Sequence, residues 1–184
     1  MKYIFDFDDV LFNNTAQFKE HMFKTLASIG IPEDEARKYY KEARSKGFCL
    51  QKFIAELLKQ YNIINANPQE IHKTIITGCK DFVNTELIEL VKKLGKENCF
   101  IVTNGEEDFQ QIKITQSQIG HLFKEIYTTP GSKKDIIEKI CLQHEEGIIF
   151  IDNASVFFED LDFQKYPNLK TILYTGQNLE NYLQ

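Results

Sequence analysis

Two aspartates, Asp6 and Asp8, stand two positions apart at the end of an apolar run near the N-terminus. Side chains alternate along a strand, so both carboxylates are expected to face the same side. Two carboxylates directed at one point repel each other unless a cation or a proton lies between them. This pairing therefore predicts a site that performs chemistry.

Two other polar residues also end apolar runs. Thr103 follows the run Cys99–Val102, and Asp152 follows the run Gly147–Ile151. Ligands of open parallel sheets bind beyond the carboxyl ends of the strands. We therefore expect Asp6, Thr103 and Asp152 to lie together at one edge of a sheet.

Apolar runs alternate with helical patterns in the second half of the chain, and this alternation predicts an α/β fold. The runs lack the polar–apolar alternation of half-exposed strands. They favour a Rossmann-like parallel sheet whose two faces are both covered by helices. Its strands are predicted at residues 2–5, 99–102, 125–128, 147–151 and 169–174.

The segment after the first strand contains only helical patterns. Residues 14–79 predict four helices, the first opened by a capping-box pattern at Asn14 and the last by Asn67. An all-helical segment in this place would lie over the carboxyl edge of the sheet as a cap. The predicted organisation is a catalytic core of residues 1–13 and 80–184 with a helical cap of residues 14–79.

Four sequence blocks resemble the motifs of the haloacid dehalogenase superfamily, and they occur in the same order. The blocks are Asp6–Val10, Ile101–Gly105, Gly131–Ile136 and Ile148–Asn153. A lone pair of aspartates is a weak signal, whereas four blocks in order, each at a strand end or a helix start, are specific. The resemblance covers nearly the whole chain and implies the fold predicted above.

The resemblance also implies catalytic roles. Asp6 would attack phosphorus and form an aspartyl-phosphate. Asp8 would protonate the leaving oxygen and later take a proton from the water that hydrolyses the intermediate. Lys133 would neutralise charge on the nucleophile and on the transferring group, and its neighbour Lys134 is the alternative for this role.

A magnesium site is implied as well, because Mg²⁺ prefers oxygen ligands and would separate the negative charges. Its ligands would be the Asp6 carboxylate, the Asp8 main-chain carbonyl and Asp152. Thr103 and Asn104 would donate hydrogen bonds to the phosphoryl oxygens.

The sequence departs from the family pattern in two blocks. Asp9 stands where glycine is common, and we expect it to face solvent or a backbone amide. The family usually places a second acid next to the aspartate of the fourth block or four positions later. Asn153 and Val156 occupy these positions here, so the metal site is expected to depend on Asp152, with Asn153 or a later acid completing it.

The predicted function is Mg²⁺-dependent hydrolysis of a small phosphomonoester, with a small phosphorylated metabolite as the partner. Two alternatives stay open: a sugar-phosphate mutase of the same superfamily, and a phosphate-binding or regulatory module with little turnover. The segment 44–47 begins with one of only two arginines in the chain and could contact an anionic substrate.

Composition narrows the class of protein further. The net charge is −5, with 42% hydrophobic and 27% charged residues, which is ordinary for a globular domain and unfavourable for binding nucleic acid or anionic membranes. The four cysteines are widely spaced and predict buried free thiols rather than a zinc site. The first strand begins at Lys2, so we expect no signal peptide and a cytoplasmic protein. The oligomeric state is left open.

Overall fold

The computed structural model describes residues 1–44, 48–180 and 182–183. Within these residues, five parallel strands form one sheet in the order β3-β2-β1-β4-β5. Their bounds are β1 Lys2–Phe5, β2 Cys99–Asn104, β3 Glu125–Thr129, β4 Ile148–Asp152 and β5 Leu169–Leu173. The predicted α/β fold with a parallel sheet is confirmed.

The strand register brings the carboxyl ends of the three central strands together. Phe5, the last residue of β1, pairs with Ile101 of β2 and Ile151 of β4. The N–H of Asp6 then donates to the carbonyl of Ile151 at 2.9 Å. Asp6 therefore starts at the same edge at which β2 and β4 end, and Asp152 is the final residue of β4.

Alternate residues of the central strands pack into two apolar clusters on opposite faces of the sheet, as expected when helices cover both faces. The first cluster contains Phe5, Ile101 and Ile151. The second cluster contains Ile4, Phe100 and Phe150. The helices that follow the first strand and those between the later strands supply the rest of these clusters. Their bounds are α1 Thr15–Ala27, α2 Glu33–Arg44, α3 Leu50–Gln60, α4 Pro68–Thr77, α5 Thr85–Leu94, α6 Glu107–Gln116, α7 Lys134–Gln143 and α8 Val156–Glu159.

The segment predicted as a cap forms helices α1 to α4, with no strand among its described residues. Residues 45–47 lie outside the described residues, so most of the segment proposed to contact an anionic substrate is not located. The apolar cluster on one face of the sheet continues into these helices through Phe18, Leu26 and Ile54. The domain boundaries at residues 14 and 79 stay a prediction.

The predicted capping box at the start of α1 is wrong. Asn14 is the N-cap residue, but its side chain makes no capping hydrogen bond. Instead, the N–H of Thr15 donates to Oδ1 of Asp9 at 3.2 Å, which satisfies one of the free donors at the helix start. At α4 the predicted cap is confirmed, since Asn67 accepts from the N–H of Gln69.

Two further observations bear on the predicted class of protein. Over the ranges that the structure describes, we find no helix that is long and apolar enough to cross a bilayer. The cysteines are free, and burial raises the pKa of the Cys99 thiol to about 12, so this thiol stays protonated and unreactive at neutral pH.

Candidate active site

A buried loop directly after β1 sets the positions of the first two aspartates. Phe12 donates its N–H to the carbonyl of Phe7 at 2.8 Å, and the two rings stack with centroids 5.2 Å apart. The loop therefore folds back on itself with Asp8 and Asp9 at its tip. Because β1 ends at Phe5, the predicted strand alternation does not extend to Asp8, and the loop determines its direction.

Lys133 lies between two buried carboxylates at the carboxyl edge of the sheet. Its Nζ is 2.7 Å from Oδ1 of Asp6 and 2.6 Å from Oδ2 of Asp152. All three side chains are almost fully buried. The other oxygen of Asp152 accepts a hydrogen bond from the N–H of Ala154 at 2.8 Å. Three residues from the first, third and fourth sequence blocks thus form one cluster, which we call the buried triad.

The structure distinguishes between the two adjacent lysines. Lys134 is partly exposed and, among the described residues, forms a long ion pair of 3.9 Å with Glu138 on the next turn of α7. Lys133 directly precedes the first residue of that helix, and its side chain is buried. The sequence favoured Lys133 with Lys134 as the alternative, and of these two lysines it is Lys133 that contacts Asp6.

The buried triad carries unbalanced negative charge. Burial is the largest influence on Asp6 and raises the pKa of its carboxyl to about 7. Lys133 lowers this pKa, whereas the neighbouring charges of Asp152 and Asp8 raise it again. The ammonium of Lys133 is therefore not enough to hold Asp6 fully ionised at neutral pH, and an additional cation would be favourable here.

Asp8 has a different set of partners, which the sequence analysis missed. It forms an ion pair with Lys113, and its other oxygen accepts a hydrogen bond from Nε2 of Gln110 at 2.8 Å. Burial by itself would raise the pKa of Asp8, but the ammonium of Lys113 and the hydrogen bond from Gln110 outweigh it and lower the pKa. Asp8 is thus held as a carboxylate in a fixed direction.

A weak signal for these two partners is present in the sequence. Gln110 and Lys113 on α6 and Ser117 directly after it recur at helical spacing, and all three are buried together with Ile114. Polar residues in this pattern normally indicate an exposed helix face. Only the presence of a distant acid distinguishes a buried polar face from a solvated one.

The second block contributes a buried hydroxyl and a tight turn. Thr103 is fully buried, and Nε2 of Gln110 lies 3.4 Å from its hydroxyl oxygen. The side-chain amide of Asn104 donates to the carbonyl of Gly131. Gly105 has a φ of +152°, and a Cβ there would lie 2.6 Å from Nε2 of Gln110, so glycine is required for this contact. The proposed binding of phosphate by Thr103 and Asn104 stays a prediction.

The positions that depart from the family pattern lie at the periphery. Asp9 adopts a left-handed φ of +58° and accepts from a backbone N–H, as the sequence predicted. Asn153 is exposed, and Val156 at the start of α8 is 58% exposed. Neither residue supplies a second acid beside Asp152.

The remaining oxygen donors can hold a small hard cation. Among the described residues, no three His, Cys, Asp or Glu side chains are grouped as a metal cluster. Mg²⁺ commonly uses only one or two carboxylates and completes its shell with water and substrate phosphate. The Asp6 and Asp152 carboxylates with the Asp8 carbonyl fit that limited set, and the raised pKa of Asp6 is consistent with a missing positive charge.

The chain was compared with known proteins at the levels of sequence and structure. The family model for "Haloacid dehalogenase-like hydrolase" matches residues 3–162. Among the curated proteins, none matches the sequence significantly.

Several solved structures share the fold. One is an inferred hydrolase of this type, YfnB from Bacillus subtilis, bound to magnesium, with 15% identity and a TM-score of 0.52 over 98% of this chain and 90% of that chain. An inferred β-phosphoglucomutase from Thermotoga maritima gives 16% identity and a TM-score of 0.55, covering 100% and 90%. The L-2-haloacid dehalogenase from Xanthobacter autotrophicus gives 10% identity and a TM-score of 0.57, covering 98% and 79%.

Proposed function

The chain belongs to the haloacid dehalogenase-like hydrolases, and from this premise we propose that it hydrolyses a small phosphomonoester with the help of Mg²⁺. The observation that carries the proposal is the buried triad, in which Lys133 joins Asp6 and Asp152 at the carboxyl edge of the sheet. Asp8, on the neighbouring loop, supplies the acid–base group that phosphoryl chemistry needs.

In the proposed reaction, a carboxylate oxygen of Asp6 attacks phosphorus and the bond from phosphorus to the leaving oxygen breaks. The Asp8 carboxylate first takes up a proton, from solvent or from the monoanion of the phosphomonoester, and the resulting carboxyl group gives this proton to the leaving oxygen. In the second step, water attacks phosphorus, Asp8 takes the proton of the water, and Asp6 is released as a carboxylate. Lys133 offsets negative charge on Asp6 in both steps.

The magnesium ion would be held by the carboxylates of Asp6 and Asp152 and by the main-chain carbonyl of Asp8. When bound, it supplies positive charge between the nucleophile and the phosphoryl oxygens. The residues of the chain arrange the ligands: Lys133 fixes Asp6, and the N–H of Ala154 fixes one oxygen of Asp152.

The size of the substrate is limited by a cleft beside Asp8. The cleft has a volume of about 510 Å³, within the range of small-molecule sites. Asp8 and Gln110 form part of its wall, so the leaving group of a phosphomonoester can occupy it. This geometry supports a metabolite rather than a phosphoprotein as the substrate.

Two alternatives have specific support. A mutase of the same fold occurs among the structural neighbours, and it would return the phosphoryl group to the sugar instead of to water. A binding module with little turnover is favoured by the few carboxylates available for metal. Dehalogenation is less consistent with Asp8, because displacement of halide needs no proton for the leaving group.

The test is an assay of phosphate release from phenyl phosphate with Mg²⁺ and with EDTA, using the wild type and Asp6→Asn. We expect release of phosphate that requires Mg²⁺ and that Asp6→Asn abolishes. An isomer formed from a sugar phosphate without free phosphate would identify the mutase. If neither product forms and Mg²⁺ does not shift the melting temperature, the binding module is favoured.

A further inference from the structure

The cleft beside Asp8 contains two cations, Lys19 and Arg44, that form no close ion pair within the part of the chain that the structure describes. Lys19 belongs to α1, and Arg44 is the last residue of α2. Both residues line the cleft, as does Tyr40 of α2. In the part of the chain that is described, neither forms an ion pair with a carboxylate. Both cationic groups lie near the ring of Tyr40, whose centroid is 5.9 Å from the Lys19 ammonium and 5.9 Å from the Arg44 guanidinium.

Neighbouring cations differ from these two. Lys113 in the same cleft is neutralised by Asp8. Arg37, two turns before Arg44 on α2, binds both oxygens of Glu20 at 2.8 and 2.7 Å. Among the described residues, Lys19 and Arg44 thus differ from these two cations in forming no close ion pair, although the carboxylates of Asp9 and Asp8 act on Lys19 from a greater distance.

The two charges also act on each other. Lys19 is partly buried, and burial followed by the charge of Arg44 lowers the pKa of its ammonium more than the carboxylates of Asp9 and Asp8 raise it. Two like charges on one wall of a cleft favour an anion bound between them. In the same wall, the hydroxyl oxygen of Thr15 is buried without a hydrogen-bond partner among the described residues, as is common where a ligand or water completes the site.

We propose that the leaving group of the natural substrate carries a second anionic group, a carboxylate or a phosphate, and that Lys19 and Arg44 bind it. In this arrangement the transferred phosphoryl group is bound at Asp6, and the leaving group extends into the cleft toward Lys19 and Arg44. This inference rests on the proposed phosphatase function and specifies its substrate class.

The experiment compares phenyl phosphate with 3-carboxyphenyl phosphate and with 1,3-phenylene bisphosphate. A carboxylate in the meta position changes the leaving ability of the phenol little, so a difference in kcat/KM reports on binding of the second anion. We expect kcat/KM to be about tenfold higher for at least one of the two compounds that carry a second anionic group than for phenyl phosphate. A higher kcat/KM for 3-carboxyphenyl phosphate indicates a carboxylate subsite, and a higher kcat/KM for 1,3-phenylene bisphosphate indicates a phosphate subsite.

Substitutions assign the effect to the two residues. Lys19→Met and Arg44→Met should each lower, toward one, the ratio of kcat/KM between the preferred compound with a second anionic group and phenyl phosphate. Lys24→Met is the matched control, because Lys24 lies on α1 and is exposed, outside the residues lining the cleft. A wild-type ratio of one or less, or an equal fall in the ratio for Lys24→Met, would overturn the inference.

Binding separates failure of this inference from failure of the proposed function. In the Asp6→Asn protein, calorimetry measures the Kd of the same compounds without turnover. Tighter binding of a compound with a second anionic group than of phenyl phosphate, lost on Lys19→Met, supports the subsite even if no compound is hydrolysed by the wild type. Equal affinity for all three compounds contradicts the subsite whether or not hydrolysis occurs.

Discussion

Lys113 places its ammonium against the Asp8 carboxylate, and three phenylalanine rings surround the same ammonium. The ring centroids of Phe7, Phe12 and Phe109 lie 5.1 to 5.3 Å from its Nζ. Cation–π contacts and burial leave this lysine little freedom. Lys113 therefore fixes the direction of the side chain that we propose as the acid and base.

The first prediction concerns this pair. Lys113→Met should lower kcat for phenyl phosphate by about tenfold or more, because a misplaced Asp8 protonates the leaving oxygen less well. The loss should be smaller for 4-nitrophenyl phosphate, whose leaving group needs little protonation. In an Asp8→Asn background, Lys113→Met should add nothing to the difference between the two substrates. Equal losses for both substrates in the single variant would show a merely structural role.

The second prediction concerns the buried triad. Lys133→Met removes the only ammonium that contacts both Asp6 and Asp152 among the described residues, and it should lower the free energy of unfolding by about 3–5 kcal/mol. Lys134→Met is the matched control, since that side chain is partly exposed and should change stability by less than about 0.5 kcal/mol. Urea denaturation of both variants measures the difference. Similar stability of the two variants would show that Lys133 does not hold the acids together.

Much of this arrangement could be predicted from the sequence. The three central strands are buried on both faces and therefore form continuous apolar runs, and Asp6 and Asp152 are visible because they end such runs. The partners of Asp8 were not found, since Lys113 is 105 residues away and its helix has polar residues at buried positions. The direction of Asp8 was not predictable from strand alternation either, because the backbone of the loop 7–12 determines it.

The third prediction follows from the raised pKa of Asp6. In EDTA, the folded protein keeps a proton on this carboxyl up to a pH of about 7, whereas the unfolded chain loses it near the usual pKa of 3.8. The folded state thus binds more protons between these values, and the contribution of Asp6 to stability falls as the pH rises through this window. The slope approaches about 1.4 kcal/mol per pH unit.

Comparison with Asp6→Asn isolates this contribution from those of other titrating groups. The stability of Asp6→Asn relative to the wild type should increase between about pH 4 and pH 7 and then become constant. Urea denaturation at several pH values measures this difference. A difference that does not change with pH would mean that Asp6 titrates normally.

The fourth prediction concerns the metal. Two carboxylates and one carbonyl leave several positions of Mg²⁺ to water or phosphate, so the ion should bind weakly alone and more tightly with inorganic phosphate. The increase in melting temperature with both ligands together should exceed the sum of the increases with each alone. Val156→Asp adds an acid near the start of α8 and should raise the shift with Mg²⁺ alone. Strictly additive shifts in the wild type would contradict shared binding.

The most direct test of the account is to trap the covalent intermediate. The protein is mixed with phenyl phosphate and Mg²⁺, quenched in acid within the first turnover, and digested for mass spectrometry. We predict a phosphate that is labile to hydroxylamine on the peptide containing Asp6, and none on that peptide from Asp6→Asn. Release of phosphate while the Asp6 peptide stays unmodified would contradict nucleophilic attack by Asp6, as would a phosphate attached to a different residue.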